Sequence, residues 1–182
     1  MRHVGEELAL VARCKRELPH QHKAFEELTT AYKDMIYTLC YRVTGSATDA
    51  EDLLQEILIK LFLSLNKFDG RSAFSTWLYR VTRNHCLNFL AKQKHENAQI
   101  DALPEGDVLV DNSTEASRQD QRTQAALASI DADERSLLIM KYVIDLDVKE
   151  ISEILQIGLS ATKMRLTRTR EKFKQLFKES QW

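Results

Sequence analysis

Between Ser160 and Lys178 the chain carries Lys163, Arg165, Arg168, Arg170, Lys172, Lys174 and Lys178 against one acid, Glu171. Cations at that density along a helix neutralise phosphates. The stretch before them, "DVKEISEILQIGLS", supplies a short apolar helix and a glycine turn, which makes the whole a helix-turn-helix pattern. Lys163, Met164, Thr167 and Arg168 stand where side chains reach base edges. Ser160 and Arg165 suit positioning or phosphate contacts, and Thr162 belongs to the same set. A second group is "FDGRSAFSTWLYRVTRNHCLNFLAKQK". Its loop of Phe68, Asp69, Gly70, Arg71 and Ser72 leads into an acid-free helix bearing Arg80, Arg83, Asn84 and Asn88. Aromatic faces that stack, amides that read base edges and arginines that hold phosphates suit single-stranded bases. The same spacing of Phe74, Trp77, Leu78, Val81 and Leu87 also fits an ordinary core face.

The third group is "DAEDLLQEILIKLFLSL", Asp49 to Leu65. At 100° per residue, Leu53, Leu54, Ile57, Leu58, Leu61 and Leu65 share one broad face, and Asp49, Asp52, Glu56, Ile59 and Leu63 gather opposite. Acids in a first helical turn favour the positive end of the helix dipole by about 0.3–1 kcal/mol each, which accounts for Asp49, Glu51 and Asp52. It does not account for Ile59 and Leu63 on the outward side. An acidic ridge that turns apolar is a docking surface for a basic partner.

Enzymatic chemistry finds no foothold: there is no nucleotide-binding glycine loop, no clustered metal ligands and no Ser/His/Asp arrangement by spacing. Neither a cofactor nor a metal is therefore expected. Cys14, Cys40 and Cys86 lie far apart, with no C-x-x-C pair, as befits a reducing compartment. "MRHVGEELAL" places acids where a secretory signal needs an apolar core, so the expectation is a cytoplasmic protein. The net charge of −1 hides two basic blocks flanking an acidic one.

The elements that hold these groups are predicted to be all α-helical, because five Gly and two Pro in 182 residues leave few tight turns and no alternating β pattern is visible. Helices are expected over about 6–16, 22–43, the third group, and 74–94. The segment "HENAQIDALPEGDVLVDNSTEAS" has Pro104, Gly106 and an acidic, aperiodic composition, and reads as a flexible linker. The organisation is thus an N-terminal helical bundle over 1–94, a linker over 95–115 and a C-terminal helix-turn-helix domain over 116–182. Asp131 with Glu134, and Asp147 with Glu150, predict two capping boxes. Gly158 is expected to take a left-handed angle, and Ser160 to cap the final helix.

With the three groups in this order, the chain resembles a bacterial RNA polymerase sigma factor of the two-domain extracytoplasmic-function class. "AFEELTTAYKDMIYTLCYRVTGSATDAEDLLQEILIKLF" carries the family's "DAEDl.QE" helix, and "FDGRSAFSTWLYRVTRNHCLNFL" its "tWLyrIarN" helix. "LLIMKYVIDLDVKEISEILQIGLSATKMRLTRTREKF" is a degraded form of the family's second domain. The resemblance implies that Asp49, Glu51, Asp52, Gln55 and Glu56, with Ile59 and Leu63, dock on the β′ clamp coiled coil of core polymerase, whose β subunit is also a partner. It implies that Phe68 through Ser72, with Arg80, Arg83, Asn84 and Asn88, melt and hold the −10 element of promoter DNA. The second domain would read the −35 element through Ser160, Thr162, Lys163, Met164, Arg165, Thr167 and Arg168. A dedicated anti-sigma protein, often membrane-bound, is the implied controller. Asn88 stands where the family usually has Asp, and Ala91 where it has Arg. Met164 interrupts the usual "gTVKsR" pattern and offers an apolar contact for a thymine methyl. A stand-alone helix-turn-helix regulator is the competing reading; it would leave the acidic ridge and the aromatic loop idle.

Overall fold

A computed structural model describes residues 4–100 and 115–179. Among the described residues there are eight α-helices, one 3-10 turn and no strand. They are α1 Val4–Glu17, α2 Lys23–Thr44, α3 Ala47–Ser64, the 3-10 turn Leu65–Lys67, α4 Phe74–Ile100, α5 Glu115–Ala128, α6 Ala132–Tyr142, α7 Val148–Leu155 and α8 Leu159–Glu179. The all-α architecture is as the sequence predicts. Helix α4 runs six residues past the predicted Lys94 and Glu115 already opens α5; the linker residues between, 101–114 with Pro104 and Gly106, lie outside the described residues.

Helices α1 to α4 form the first unit. Leu28, Ile36, Leu39 and Val43 of α2 are wholly buried together with Leu53, Ile57 and Leu61 of α3 and Phe74 and Leu78 of α4. Gly45 closes α2 at φ +80, a left-handed angle that costs glycine nothing, and its N–H donates to the Tyr41 carbonyl. Ser46 then caps α3 by accepting from the Asp49 N–H. In the second unit, Leu127, Ile130 and Leu138 pack with Phe173 and Leu176, so the end of α5 docks on α8.

Three local expectations change. The capping box at Asp147 and Glu150 is present, but its twin is not. Asp131 accepts from the Asp133 N–H, while Glu134 turns away to Lys172 of α8. The left-handed residue after α7 is Gln156, φ 56, rather than Gly158. Helix α8 already begins at Leu159, which puts Ser160 inside its first turn instead of at the cap.

The two units are in contact. Helix α6 packs on α2 and α4, and α7 packs on α4, so that Leu137, Ile139, Met140, Ile151 and Ile154 join the same buried cluster as the first unit's core. Arg135 of α6 reinforces this with donations to the carbonyls of Val43, Ala128 and Ile130. Carbonyls at a helix end such as Val43 have no partner within their own helix, and a guanidinium supplies one. Burial lowers the Arg135 pKa, and Asp131 opposes that shift.

Cys14, Cys40 and Cys86 are all buried thiols, and the Cys86 and Cys40 sulfurs lie 3.4 Å apart. Burial pushes Cys14 up from 9.0 to about 11; a hydrogen bond with Cys86 and burial raise Cys40 as well. Thiolate is the reactive form. At pH 8 a thiol reagent is expected to react slowly with the native chain and fully once urea unfolds it; fast titration of the native thiols would contradict this packing. Cys14 should also make stability fall as pH rises from about 9 to about 11, where the unfolded thiol ionises and the folded one does not.

Candidate functional site

The outward side of α3 follows the predicted periodicity. Leu53, Ile57, Leu61 and Leu65 are buried, while Glu51, Asp52, Gln55 and Glu56 are exposed and Asp49 is half-buried. Ile59 is 63% and Leu63 72% exposed, among the most exposed large apolar side chains described. Glu56 is held by His85 of α4, whose Nε2 lies 2.7 Å from its carboxylate. The result is one continuous ridge, anionic towards the helix N-terminus and aliphatic towards its C-terminus.

The loop after α3 divides the predicted set. Asp69, Gly70 and Arg71 are exposed and Ser72 is half-buried. Gly70 sits at φ +76, and the Arg71 N–H and Nε both bond the Asp69 carboxylate at 3.1 Å. Phe68 does not belong with them. It is 3% exposed, packed edge-on to Phe74 and tilted against Trp77, so its ring anchors the loop and is not available to stack on a base.

On α4, Asn84 and Asn88 are exposed and Arg80 is half-buried. Arg83 is only 8% exposed. Its Nε donates to Ser136 Oγ at 2.9 Å, and it forms an ion pair with Asp133, both on α6. Asp133 also pairs with Arg165 of α8. One carboxylate thus joins a cation of the first unit to a cation of the final helix. Burial, then repulsion from Arg165, pulls Arg83 down from 12.5 to about 10, which leaves it cationic at neutral pH. Contact between Arg83 and DNA requires α6 to leave α4. The sequence carried a signal for this: Thr76, Tyr79, Arg83 and Cys86 follow steps of three and four, a second buried stripe on α4.

On α8, Ser160, Lys163, Met164, Thr167, Arg168 and Arg170 are exposed. Thr162 is fully buried and donates to the Gly158 carbonyl, so it supports the turn and does not face a base. Thr162, Leu166, Thr169 and Phe173 form the inward stripe of this helix. Arg165 pairs with Asp133 and Lys172, although exposed, pairs with Glu134, so both cations are shared with α6. A groove of about 300 Å³ runs beside the helix, lined among others by Lys141, Tyr142, Lys163, Thr167 and Arg170. Sequence reasoning also missed Glu7, Lys15, Asp133 and Ser136, whose partners lie on distant segments. Among the described residues, no helix is long and apolar enough to cross a membrane.

Residues 28–96 match the family model described as Sigma-70 region 2, and residues 120–173 the one described as Sigma-70, region 4. The chain is 31% identical to the ECF RNA polymerase sigma factor SigW of Bacillus subtilis, over 91% of this chain and 95% of that protein. It is 27% identical to the ECF RNA polymerase sigma-E factor of Escherichia coli K12, over 92% of this chain and 94% of that protein. Among solved structures it resembles the sigma factor RpoE in complex with the anti-sigma factor NepR from Bartonella quintana, with a TM-score of 0.72 at 22% identity over 86% of this chain and 98% of that one. It also resembles CnrH in complex with the cytosolic domain of CnrY, with a TM-score of 0.68 at 19% identity over 95% of this chain and 97% of that one. These likenesses extend over both helical units.

Removing the Asp133 carboxylate leaves Arg83 buried without its counter-charge. Asp133→Ala is expected to cost about 3 kcal/mol in urea unfolding, the order seen when a buried pair loses one member. Arg165→Ala, which removes the more exposed partner, should cost under about 1 kcal/mol. Equal effects would show that Arg83 does not depend on Asp133.

Proposed function

The chain belongs to the sigma-70 family of RNA polymerase sigma factors, in its extracytoplasmic-function class, and from that premise we propose how its surfaces divide the work of promoter-specific initiation. The work is non-enzymatic. The first unit, residues 1–94, binds core polymerase and acts at the −10 element; residues 116–182 read the −35 element, and the acidic stretch 95–115 connects them. The outward ridge of α3 docks on the β′ clamp coiled coil, and Asp69 to Ser72 with Arg80, Asn84 and Asn88 meet the −10 strand. The exposed Lys163, Met164, Thr167 and Arg168 enter the −35 groove.

The observation that carries this reading is the α3 ridge. Apolar side chains left in water beside paired acids have no use in the fold itself, since the buried face of the same helix already supplies its core contacts. A helix-turn-helix regulator acting alone would need neither this ridge nor the match to region 2. An anti-sigma protein is the proposed controller, and the support is that RpoE and CnrH, which share this fold, were solved with NepR and CnrY. The chain would act in the cytoplasm, where the polymerase is, with such a partner able to hold it at the membrane face.

Added to bacterial core polymerase, the chain should start transcripts at promoters that core alone ignores. The double variant Asp52→Lys, Glu56→Lys should weaken core binding by about tenfold or more, because like charges then face a basic partner. Its stability to thermal unfolding should fall only by the loss of the exposed Glu56–His85 contact, a surface pair worth under about 1 kcal/mol. Unchanged core affinity would refute the docking face. Lys163→Ala together with Arg168→Ala should reduce dependence on the upstream element and leave core affinity intact, as measured by transcription from promoters with and without that element.

A further inference from the structure

Helix α1 lies outside the segment that matches region 2, yet it holds both ends of the loop that bears Asp69, Gly70 and Arg71. Glu7 is 4% exposed. Its carboxylate accepts the N–H groups of Phe74 and Ser75, each at 3.1 Å, and the Tyr32 hydroxyl. Phe74 and Ser75 open α4, whose first N–H groups have no partner within the helix and whose dipole favours an anion there. No side chain of the loop fills that place. The cap comes from a helix 67 residues away in the chain. At the other end, the Lys15 ammonium donates to the Phe68 carbonyl and lies 5.6 Å from the centre of the Phe68 ring. Glu7 and Lys15 are eight residues apart on one helix, about 12 Å along its axis.

The segment between these two anchors is an exposed part of the first unit's candidate DNA surface; the Arg71 side chain is 89% exposed. Its own contacts are confined to the turn: Asp69 with the Arg71 backbone and side chain. Such a turn fixes local shape but not the direction in which the loop points. Direction is set where the chain enters at Phe68 and leaves at Phe74, and both points are tied to α1 by charge-assisted bonds. The acid and the base are each used at the end where their charge is favourable.

We propose that Glu7 and Lys15 are positioning residues for promoter opening: α1 acts as a two-point clamp that aims residues 69–72 at the unpaired −10 strand. This rests on the reading of that loop as promoter-facing. The clamp acts through backbone position and touches no DNA. Its loss therefore affects capture of the single strand and spares polymerase docking on α3 and duplex contact through α8.

The test uses the full chain with core polymerase and a fork-junction DNA, single-stranded across the −10 non-template positions, selected by the wild-type holoenzyme from a library randomised at the promoter elements. Glu7→Gln removes the charge of the cap, Lys15→Met removes the donor, and Lys15→Arg retains a donor; Arg71→Ala tests the loop itself. Glu7→Gln and Lys15→Met should each weaken fork binding by about tenfold, the scale of one lost charge-assisted hydrogen bond. Affinity for core and for the fully duplex upstream half should hold, and Lys15→Arg should restore fork binding. If Glu7→Gln fails to fold, Lys15→Met and Lys15→Arg still decide. Fork binding that matches wild type in Lys15→Met, or a loss of core affinity in step with fork affinity, would overturn the clamp. If Arg71→Ala leaves fork binding unchanged, the promoter-facing loop is wrong and the clamp falls with it; if only Arg71→Ala is impaired, the loop stands and the clamp alone is rejected.

Discussion

A guanidinium taken out of water needs acceptors for its N–H groups, and a counter-charge is the strongest of them; Arg83 finds Asp133 on another unit of the chain. Much of the arrangement follows from this pairing. With its charge met, α4 can present a second buried face, and Thr76, Tyr79 and Cys86 line it together with Arg83. Burial raises the Tyr79 pKa to about 12, with a smaller contribution from Glu150 of α7, which marks how closely the second unit lies. Ser136 completes the set from inside α6, accepting from Arg83 and donating to the Asp133 carbonyl. Apolar contact alone would let α6 slide on α4 and α2. The charge pair and the Arg135 bond to Val43 fix one register, because a displaced guanidinium would be buried without a partner.

The same node shows why residue type is a poor guide to role. Arginine, aromatic and hydroxyl side chains in a DNA-binding segment all suit contact with nucleic acid, yet Arg83, Phe68 and Thr162 face inward. Periodicity separates them from their neighbours where type does not. On α3 the unbroken apolar inward stripe sets the phase of the helix, so the outward position even of apolar Ile59 and Leu63 was legible from sequence. On α4 and α8 the inward stripes contain polar residues, and the pattern blurs.

Legibility also depended on distance along the chain. Asp147 and Glu150 cap α7 reciprocally as their spacing predicts, since both partners lie within one turn. Asp131 and Glu134 have the same spacing, but Lys172 of α8 takes Glu134. Local grammar was the same in the two cases, and a tertiary partner decided between them. Glu7 is the extreme instance. It reads as a first-turn acid that favours its own helix dipole, and it serves the dipole of a different helix. The helical class, the helix-turn-helix and the α3 ridge come from local pattern. The closed contact between the units and the anchoring of the loop come from contacts that no window of sequence contains.

The distribution of surface charge then makes sense of a net charge near zero. Charge is unevenly spread: the N-terminal half of α3 exposes mainly acids, and α8 exposes mainly cations. Two of the α8 cations are engaged in pairs with α6, which leaves Lys163, Arg168, Arg170, Lys174 and Lys178 as the rest of the exposed positive set along the helix. On α3 the two parts of the ridge differ in physical effect. The charges of Asp52 and Glu56 act over distance and are screened by salt, so with the proposed basic partner they would govern how fast it is met. Ile59 and Leu63 act only on contact; covering such a side chain fully is worth about 1.5–3 kcal/mol. Two aliphatic side chains would give a partner only a modest grip. A larger apolar face would hold the partner more firmly, but it would also be an aggregation hazard whenever the chain is free.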